Sequence, residues 1–391
     1  MVFWGPPSST INIMDTLRQG RLPLFTTSVP VDEYETPVLL LDVEAADRNI
    51  ERMGNFFRGK KAALRPHVKV HKSPWLAKKQ IAAGARGITC AKLSEAEVMV
   101  DGGIDDILIA NEIVGEDKVR KLVKLAKRSK LTVIIDDLDN ARQISSLAAL
   151  EGSRVRILAD VNLSAAAGGI LDRTGLVPGR DLIVLAQEAA KLPNLDFVGV
   201  MGYEGSLKAI DNAKVKLEHG KKALDLLVET ARSISAAGLN VEVVSCGGTM
   251  SYKVASEFPG VTEVQAGGYV FMDLGYRKSG IDFETSLTLL TRVVSVPRPE
   301  KIIVDAGFKA ISAESGLPQV KDRPYIEVIS LTAEHGHATV GDVSQTPKRA
   351  DRLEFLPSHA DTTTCLHEYY QITRGDRIVD KVKIAARGML Q

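Results

Sequence analysis

The sequence predicts an α/β protein in which a (β/α)8 barrel is followed by a β-rich C-terminal domain. Three observations carry this. From residue 61 to about 280, short apolar runs alternate with longer amphipathic ones, the pattern of a parallel sheet crossed by helices. Eight such units occupy roughly 220 residues, which suits a closed barrel; an open doubly wound sheet is the alternative. After about residue 281 the apolar period becomes two, broken by Gly and Pro, as in "PYIEVISLTAEHGHATV", and this marks strands.

Taken in order, "TPVLLLDVEAADRNIERMGNFF" supplies one strand and one amphipathic helix. The barrel strands are expected at 61–70, 86–90, 106–109, 131–135, 154–159, 196–201, 241–245 and 261–266. Helices between them include "GEDKVRKLVKLAKRSK" and "AKVKLEHGKKALDLLVETARSISAAG", with apolar residues at three- and four-residue spacing and Lys and Arg opposite. The barrel is thus assigned residues 36–280, and the β domain residues 281–391 with part of 1–35.

The chain has 391 residues, 45% hydrophobic and 25% charged, with a net charge of +1. Nucleic acid and membrane surfaces attract a strong basic excess, so neither is expected as a partner. No apolar run of bilayer length occurs, and "MVFWGPPSSTINIMD" lacks the regions of a signal peptide. Three scattered cysteines, Cys90, Cys246 and Cys365, make no disulfide framework. The expected location is the cytoplasm.

Chemistry in such a barrel gathers at the carboxyl ends of the strands. There the sequence places Lys69 and His71, Cys90 and Ala91, Asn111, Asp136 and Asp137, Asp160 and Asn162, and Tyr203 and Glu204. "CGGT" (246–249) and "GGY" (267–269) follow the last two strands. Backbone N–H groups in Gly247, Gly248, Thr249, Gly267 and Gly268 could hold an anion, since barrels often bind phosphate after strands seven and eight. A phosphate site facing a lysine suggests pyridoxal 5'-phosphate. Lys69, among His67, His71 and Lys72 in "RPHVKVHKSP", is placed to form a Schiff base, because lysine shifts its pKa readily beside other cations. A solvated basic strand end is the ordinary alternative.

A second constellation lies in "PSHADTTTCLHE". On an extended segment His359 and Asp361 point to one face, where imidazole and carboxylate suit a divalent metal, Zn2+ by softness or Mn2+ by oxygen preference. His335 and His337 in "EHGH" are the competing pair.

"RPHVKVHKSP", "TCAKLSEAEV", "SCGGTMSY", "EVQAGGYVFMD", "VDAGFKAISAESGLP" and "PSHADTTTCLHE", in this order, resemble the D-threonine aldolase and D-serine dehydratase family. These are pyridoxal phosphate enzymes of the alanine racemase-like fold type. The resemblance implies that Lys69 carries the Schiff base. It implies that Gly248, Thr249, Gly267, Gly268 and Tyr276 serve the phosphate side, and that Arg173 in "DRTG" and Tyr203 face the cofactor. It also makes His359 and Asp361 the metal pair (Mn2+, or Zn2+ or Mg2+), and the assembly a homodimer. The implied activity is cleavage of small D-3-hydroxy-2-amino acids to glycine and an aldehyde. A D-serine or D-3-hydroxyaspartate dehydratase is the alternative, followed by a racemase and a non-catalytic cofactor carrier. Ala91 and Ala209 depart from the pattern: some relatives have glutamine and histidine there, the histidine as a base. Metal-bound hydroxide, Glu204 and His335 are the candidate substitutes.

Overall fold

The computed structural model describes residues 28–164, 173–205, 210 and 213–391. Two strands, β1 (Val29–Pro30) and β2 (Val38–Asp42), precede a helix α1 (Val43–Phe57). Asp42 starts α1 by accepting the N–H groups of Glu44 and Ala45, an N-cap that satisfies donors the helix cannot. The helix buries Ala46, Ile50, Met53 and Phe57 on one side.

Eight parallel strands then follow: β3 (Ala63–Leu64), β4 (Ile88–Cys90), β5 (Asp106–Glu112), β6 (Lys130–Ile135), β7 (Val155–Asp160), β8 (Leu195–Met201), β9 (Val243–Cys246) and β10 (Glu263–Val264). They pair in sequence order from β4 to β10, and β10 returns to β3. The ring closes beyond the ends of β3, where Arg86 N donates to the Leu64 carbonyl at 2.9 Å and Thr89 N to the Pro66 carbonyl at 2.9 Å. His67 and Thr89 form a parallel bridge there. The expected barrel therefore forms, and the open sheet does not. Arg65 adds an ionic clasp under the closure, reaching Asp106 at 2.7 Å and Glu263 at 2.9 Å while itself 3% exposed.

The second sheet has ten strands. β11 (Leu287–Arg298), β12 (Lys301–Val304), β13 (Gln319–Val320), β14 (Ile326–Leu331), β15 (Gly336–Val340), β16 (Arg352–Leu356), β17 (Tyr369–Arg374) and β18 (Arg377–Lys383) join β1 and β2. β2 lies between β11, antiparallel, and β17, parallel. Val38–Asp42 therefore belongs to this sheet, although it falls on the barrel side of a boundary at residue 36. Its three consecutive buried leucines, Leu39 to Leu41, need cover on both faces, and the centre of a sheet supplies it. One apolar cluster runs from Leu39 and Leu41 through Val70 and Phe271 to Tyr370, so barrel and β domain share a core. Among the described residues no helix is long and apolar enough to cross a membrane.

Candidate functional site

The segment expected as one strand over 61–70 is only briefly a strand. The strand ends at Leu64, with one further bridge at His67, and Val68–Val70 form a single 3-10 turn. His71 N and Lys72 N both turn back to the Val68 carbonyl, at 3.0 and 2.7 Å. Val68 and Val70 are buried, whereas the Lys69 side chain is 47% exposed. From the β domain, Tyr370 Oη donates to the His71 carbonyl at 2.7 Å and Ala386 N to that of Lys72 at 2.9 Å. Both domains thus fix the turn that carries Lys69.

The basic residues around Lys69 are not the cation cluster that their spacing suggests. Burial, and then the Lys69 charge, holds His67 well below the ordinary imidazole range. Burial lowers His71 to about 4, against the opposing effect of its hydrogen bond to Gln80, and both rings are neutral at pH 7. Lys72 is buried with φ 50°, and its Nζ lies 2.9 Å from Glu95, which is 0% exposed. A lysine locked in a buried ion pair is unsuited to attack a carbonyl. Lys69, with Asp361 3.8 Å away as its ion-pair partner, is the accessible amine.

Across the cleft, two glycine-bearing turns, at 247–248 and 267–268, meet two tyrosines. Gly247 takes φ +78°, and its N–H donates to Glu204 at 3.2 Å. Glu204 also accepts from Ser251 Oγ, and burial raises its pKa. This carboxyl group is committed to holding the loop. Gly248 lies against Tyr203, whose hydroxyl would stand 3.4 Å from a Cβ there. The Arg173 guanidinium carbon is 5.2 Å from the Tyr203 ring centre. A Cβ on Gly267 would fall 2.2 Å from the His67 carbonyl oxygen, and one on Gly268 2.3 Å from the Tyr276 ring. Both close approaches need glycine. Thr249 accepts from Tyr269 N at 3.2 Å and hydrogen-bonds Tyr276. Burial, and then the charge of Asp361, keeps the Tyr276 hydroxyl protonated.

Tyr203, Glu204, Gly248, Thr249, Ser251 and Tyr276 line a cleft of about 480 Å³. A chamber of about 190 Å³ beside it is lined by Tyr276, Asp273, Ser358 and His359. A larger hollow of about 950 Å³ lies against β13 and β14 but contains none of these groups. Chemistry, not size, marks the site. The residues fit pyridoxal phosphate: an exposed amine on the Val68–Val70 turn, and a glycine and hydroxyl cradle that larger side chains would fill.

His359 and Asp361 meet by a different geometry from the extended segment expected. His359 is extended, at φ −146° and ψ 113°, and immediately precedes a short helix α2 (Ala360–Thr364) that carries Asp361. The helix entry leaves His359 Nε2 4.0 Å from Asp361 Oδ1. His359 Nδ1 is engaged by Glu314 at 2.9 Å and Thr362 Oγ1 at 3.1 Å, which directs Nε2 toward Asp361. One imidazole nitrogen and one carboxylate oxygen suit a divalent cation with open positions. Among the described residues no group of three or more His, Cys, Asp or Glu side chains converges as a metal cage. His335 is exposed in the turn between β14 and β15, and His337 pairs with Ile303 on β12; neither joins this site.

Three contributors carry no clear sequence signal. Asp273 accepts from Tyr276 N at 3.1 Å and from Ala360 N at 3.0 Å, tying the tyrosine to the metal pair. Its spacing to Tyr276 is that of an N-cap, a readable cue, but its link to Ala360 is tertiary. Glu314 and Glu95 likewise find His359 and Lys72 only through folding. Ala91 immediately follows β4, where its N–H donates to Glu95 at 2.6 Å and its carbonyl accepts from Asn111 at 3.0 Å. Ala209 lies outside the described residues.

Comparison with known proteins places these features in context. The family model described as alanine racemase, N-terminal domain, matches residues 41–275, and one for a serine dehydratase domain matches residues 286–373. The chain is 35% identical to a D-threonine aldolase of Arthrobacter sp over 92% of its own length and 94% of the relative's. It is 34% identical to a 3-hydroxy-D-aspartate aldolase of Paracoccus denitrificans, covering 91% and 93%. The crystal structure of D-threonine aldolase from Filomicrobium marinum superposes with a TM-score of 0.89 at 31% identity, covering 94% of this chain and 99% of that one. A D-threo-3-hydroxyaspartate dehydratase variant in a metal-free form gives 0.82 at 28% identity, covering 91% and 98%.

Proposed function

The chain belongs to the family of the alanine racemase N-terminal domain, and on that premise we propose that it is a pyridoxal phosphate-dependent lyase, an aldolase that cleaves D-3-hydroxy-2-amino acids of the D-threonine type to glycine and an aldehyde. The observation that carries the reading is the meeting of a barrel lysine with a β-domain imidazole and carboxylate, Lys69 Nζ standing 3.8 Å from Asp361. The relatives of 34% identity and above are aldolases.

The cofactor supplies an electron sink for negative charge left at Cα. A divalent cation, with Mn2+ our first choice and Zn2+ or Mg2+ the alternatives, supplies a Lewis acid. Lys69 anchors the cofactor and moves a proton at Cα. Arg173 and Tyr203 orient the ring, while Gly248, Thr249, Gly267, Gly268 and Tyr276 hold the phosphate. His359 and Asp361 would hold the cation, with Glu314 fixing the imidazole so that Nε2 is the nitrogen offered to it. Cleavage would release the β-hydroxyl proton to water, turn the C–O bond into the aldehyde C=O and leave the Cα–Cβ electron pair at Cα, where Lys69 would return a proton to give glycine.

The likeness to the dehydratase supports a second reading, in which Lys69 removes the α-proton and the hydroxyl leaves as water. Sequence likeness favours the aldolase, at 35% and 34% identity to two aldolases against 29% to a D-threo-3-hydroxyaspartate dehydratase. A product assay with D-threonine and Mn2+ separates the two. Glycine and acetaldehyde are expected, with L-threonine inert; ammonia and a 2-oxo acid without glycine would establish the dehydratase. A cytoplasmic homodimer, with no nucleic-acid or membrane partner, completes the proposal. Its dimeric part rests on the resemblance and is checked by sedimentation.

A further inference from the structure

Three neighbouring barrel strands end in carboxyl groups: Glu112 closes β5, Asp136 follows β6 and Asp160 closes β7. Asp160 is 3% exposed and hydrogen-bonds Glu112, whose Oε1 is buried with no hydrogen-bond partner among the described residues. A hydrogen bond between two carboxyl groups requires a proton on one of them. Burial first, and then the negative charge of Glu112, raises Asp160 to about 7, with Asp136 adding in the same direction. Two carboxyl groups that hydrogen-bond each other, one of them buried, cannot both ionise without cost.

The same carboxyl groups grip the segment that begins at Arg173. Thr174 Oγ1 donates to Asp160 Oδ2 at 2.9 Å, and Gly175 N to Asp136 Oδ2 at 3.4 Å. Asn162 Nδ2 donates to the Arg173 carbonyl at 2.6 Å, and Val161 and Leu176 form a parallel bridge. Gly175 has φ +95°, and a Cβ there would stand 2.9 Å from the Asp160 backbone and Oδ2. The segment is therefore laid directly on the strand end, with the Arg173 guanidinium against Tyr203.

We propose that Glu112 and Asp160 share a single proton, and that this proton keeps the 173–176 segment seated so that Arg173 faces the cofactor. Glu112 and Asp160 are then positioning residues. Among the described residues, Asp136 at the end of β6 adds its negative charge to the pair. Losing the shared proton sets two negative charges side by side, pushes Asp160 from Thr174 and loosens the segment. The cofactor-facing role of Arg173 rests on the proposed function; the shared proton does not.

The sign of the pH effect follows from the direction of the shift. A carboxyl group raised in the folded protein contributes stability in full below the ordinary carboxyl range and loses it as pH rises through about 7. Melting of cofactor-free protein should therefore show a Tm that falls between pH 5 and 8 in the wild type. Glu112→Gln, which donates to Asp160 without a shared proton, should flatten that fall, as should Asp160→Asn. If Asp160→Asn does not fold, Glu112→Gln alone decides. Pyridoxal phosphate titrated by its visible absorbance should bind several-fold more weakly at pH 8.5 than at pH 6 in the wild type, with a smaller change in Glu112→Gln. Thr174→Val should weaken cofactor binding several-fold at every pH while keeping the wild-type slope of Tm against pH. A wild-type Tm slope in Glu112→Gln overturns the shared proton, and wild-type cofactor affinity in Thr174→Val overturns the positioning role. Failure of the aldolase assay alone would leave these melting and binding results unaffected, so the two readings fail separately.

Discussion

Lys69 Nζ stands 3.8 Å from Asp361 Oδ2, one group on a barrel turn and the other on a helix of the β domain. Neither domain holds a complete site. The distance is set by contacts that brace the lysine turn from the β-domain side, above all Tyr370 Oη on the His71 carbonyl at 2.7 Å.

The two lysines of the turn should separate cleanly. Lys69→Ala should abolish the visible absorbance of the bound cofactor and lower turnover at least about a thousandfold, since both anchoring and a proton carrier are lost. Lys72→Ala should keep the absorbance but lower stability by about 3–5 kcal/mol, because it strands the buried Glu95. Borohydride reduction and peptide mapping check the assignment; a pyridoxyl group on Lys72 would refute it.

Asp361→Ala should lose both bound divalent metal and activity while retaining the cofactor's absorbance. Metal analysis after dialysis, read beside the visible spectrum, is the check. Undiminished metal content in this variant would remove Asp361 from the metal pair.

Asp273→Ala removes one side chain that serves two helix starts, at Tyr276 and at Ala360. Each lost cap costs about 1 kcal/mol, so denaturant unfolding should show a loss of about 2 kcal/mol. Displacing the helix that carries Asp361 should also weaken metal binding about 10–100-fold, as for other groups that orient ligands. A variant that is destabilised but binds metal normally would confine Asp273 to a structural role.

Gly268→Ala drives a methyl group into the ring of Tyr276. Overpacking of this kind costs about 1–3 kcal/mol, and here it should appear as cofactor affinity weakened roughly tenfold or more. Equilibrium titration of the apoprotein with pyridoxal phosphate measures it, and an unchanged affinity would place the phosphate elsewhere.

Much of this was legible from local pattern. The strand–helix alternation fixes a barrel because a parallel sheet requires crossovers, and residues at strand ends fall on one rim by construction. What was not legible was tertiary. "HVKVHK" alternates like a strand, but Gly267 lets the His67 carbonyl approach closely, and the chain turns at Val68 instead of extending. Four basic side chains in a row gave no hint that two imidazoles would be neutral and one lysine sealed against Glu95. His359 and Asp361 share a face, as their spacing of two suggested, yet through entry into a helix and not along a strand. Asp273 and Glu314 gain their roles only when distant segments dock.

The central position of Val38–Asp42 in the second sheet has a consequence for biogenesis. The ribosome delivers this strand first, then the entire barrel, and only afterwards β11 and β17, its two neighbours. The barrel is in effect an insertion within the β domain. Until the last third of the polypeptide emerges, Leu39, Leu40 and Leu41 remain an unpaired apolar ribbon. That makes this strand a natural target for a holding chaperone on the nascent chain, and makes late truncations prone to aggregate even when their barrels are whole.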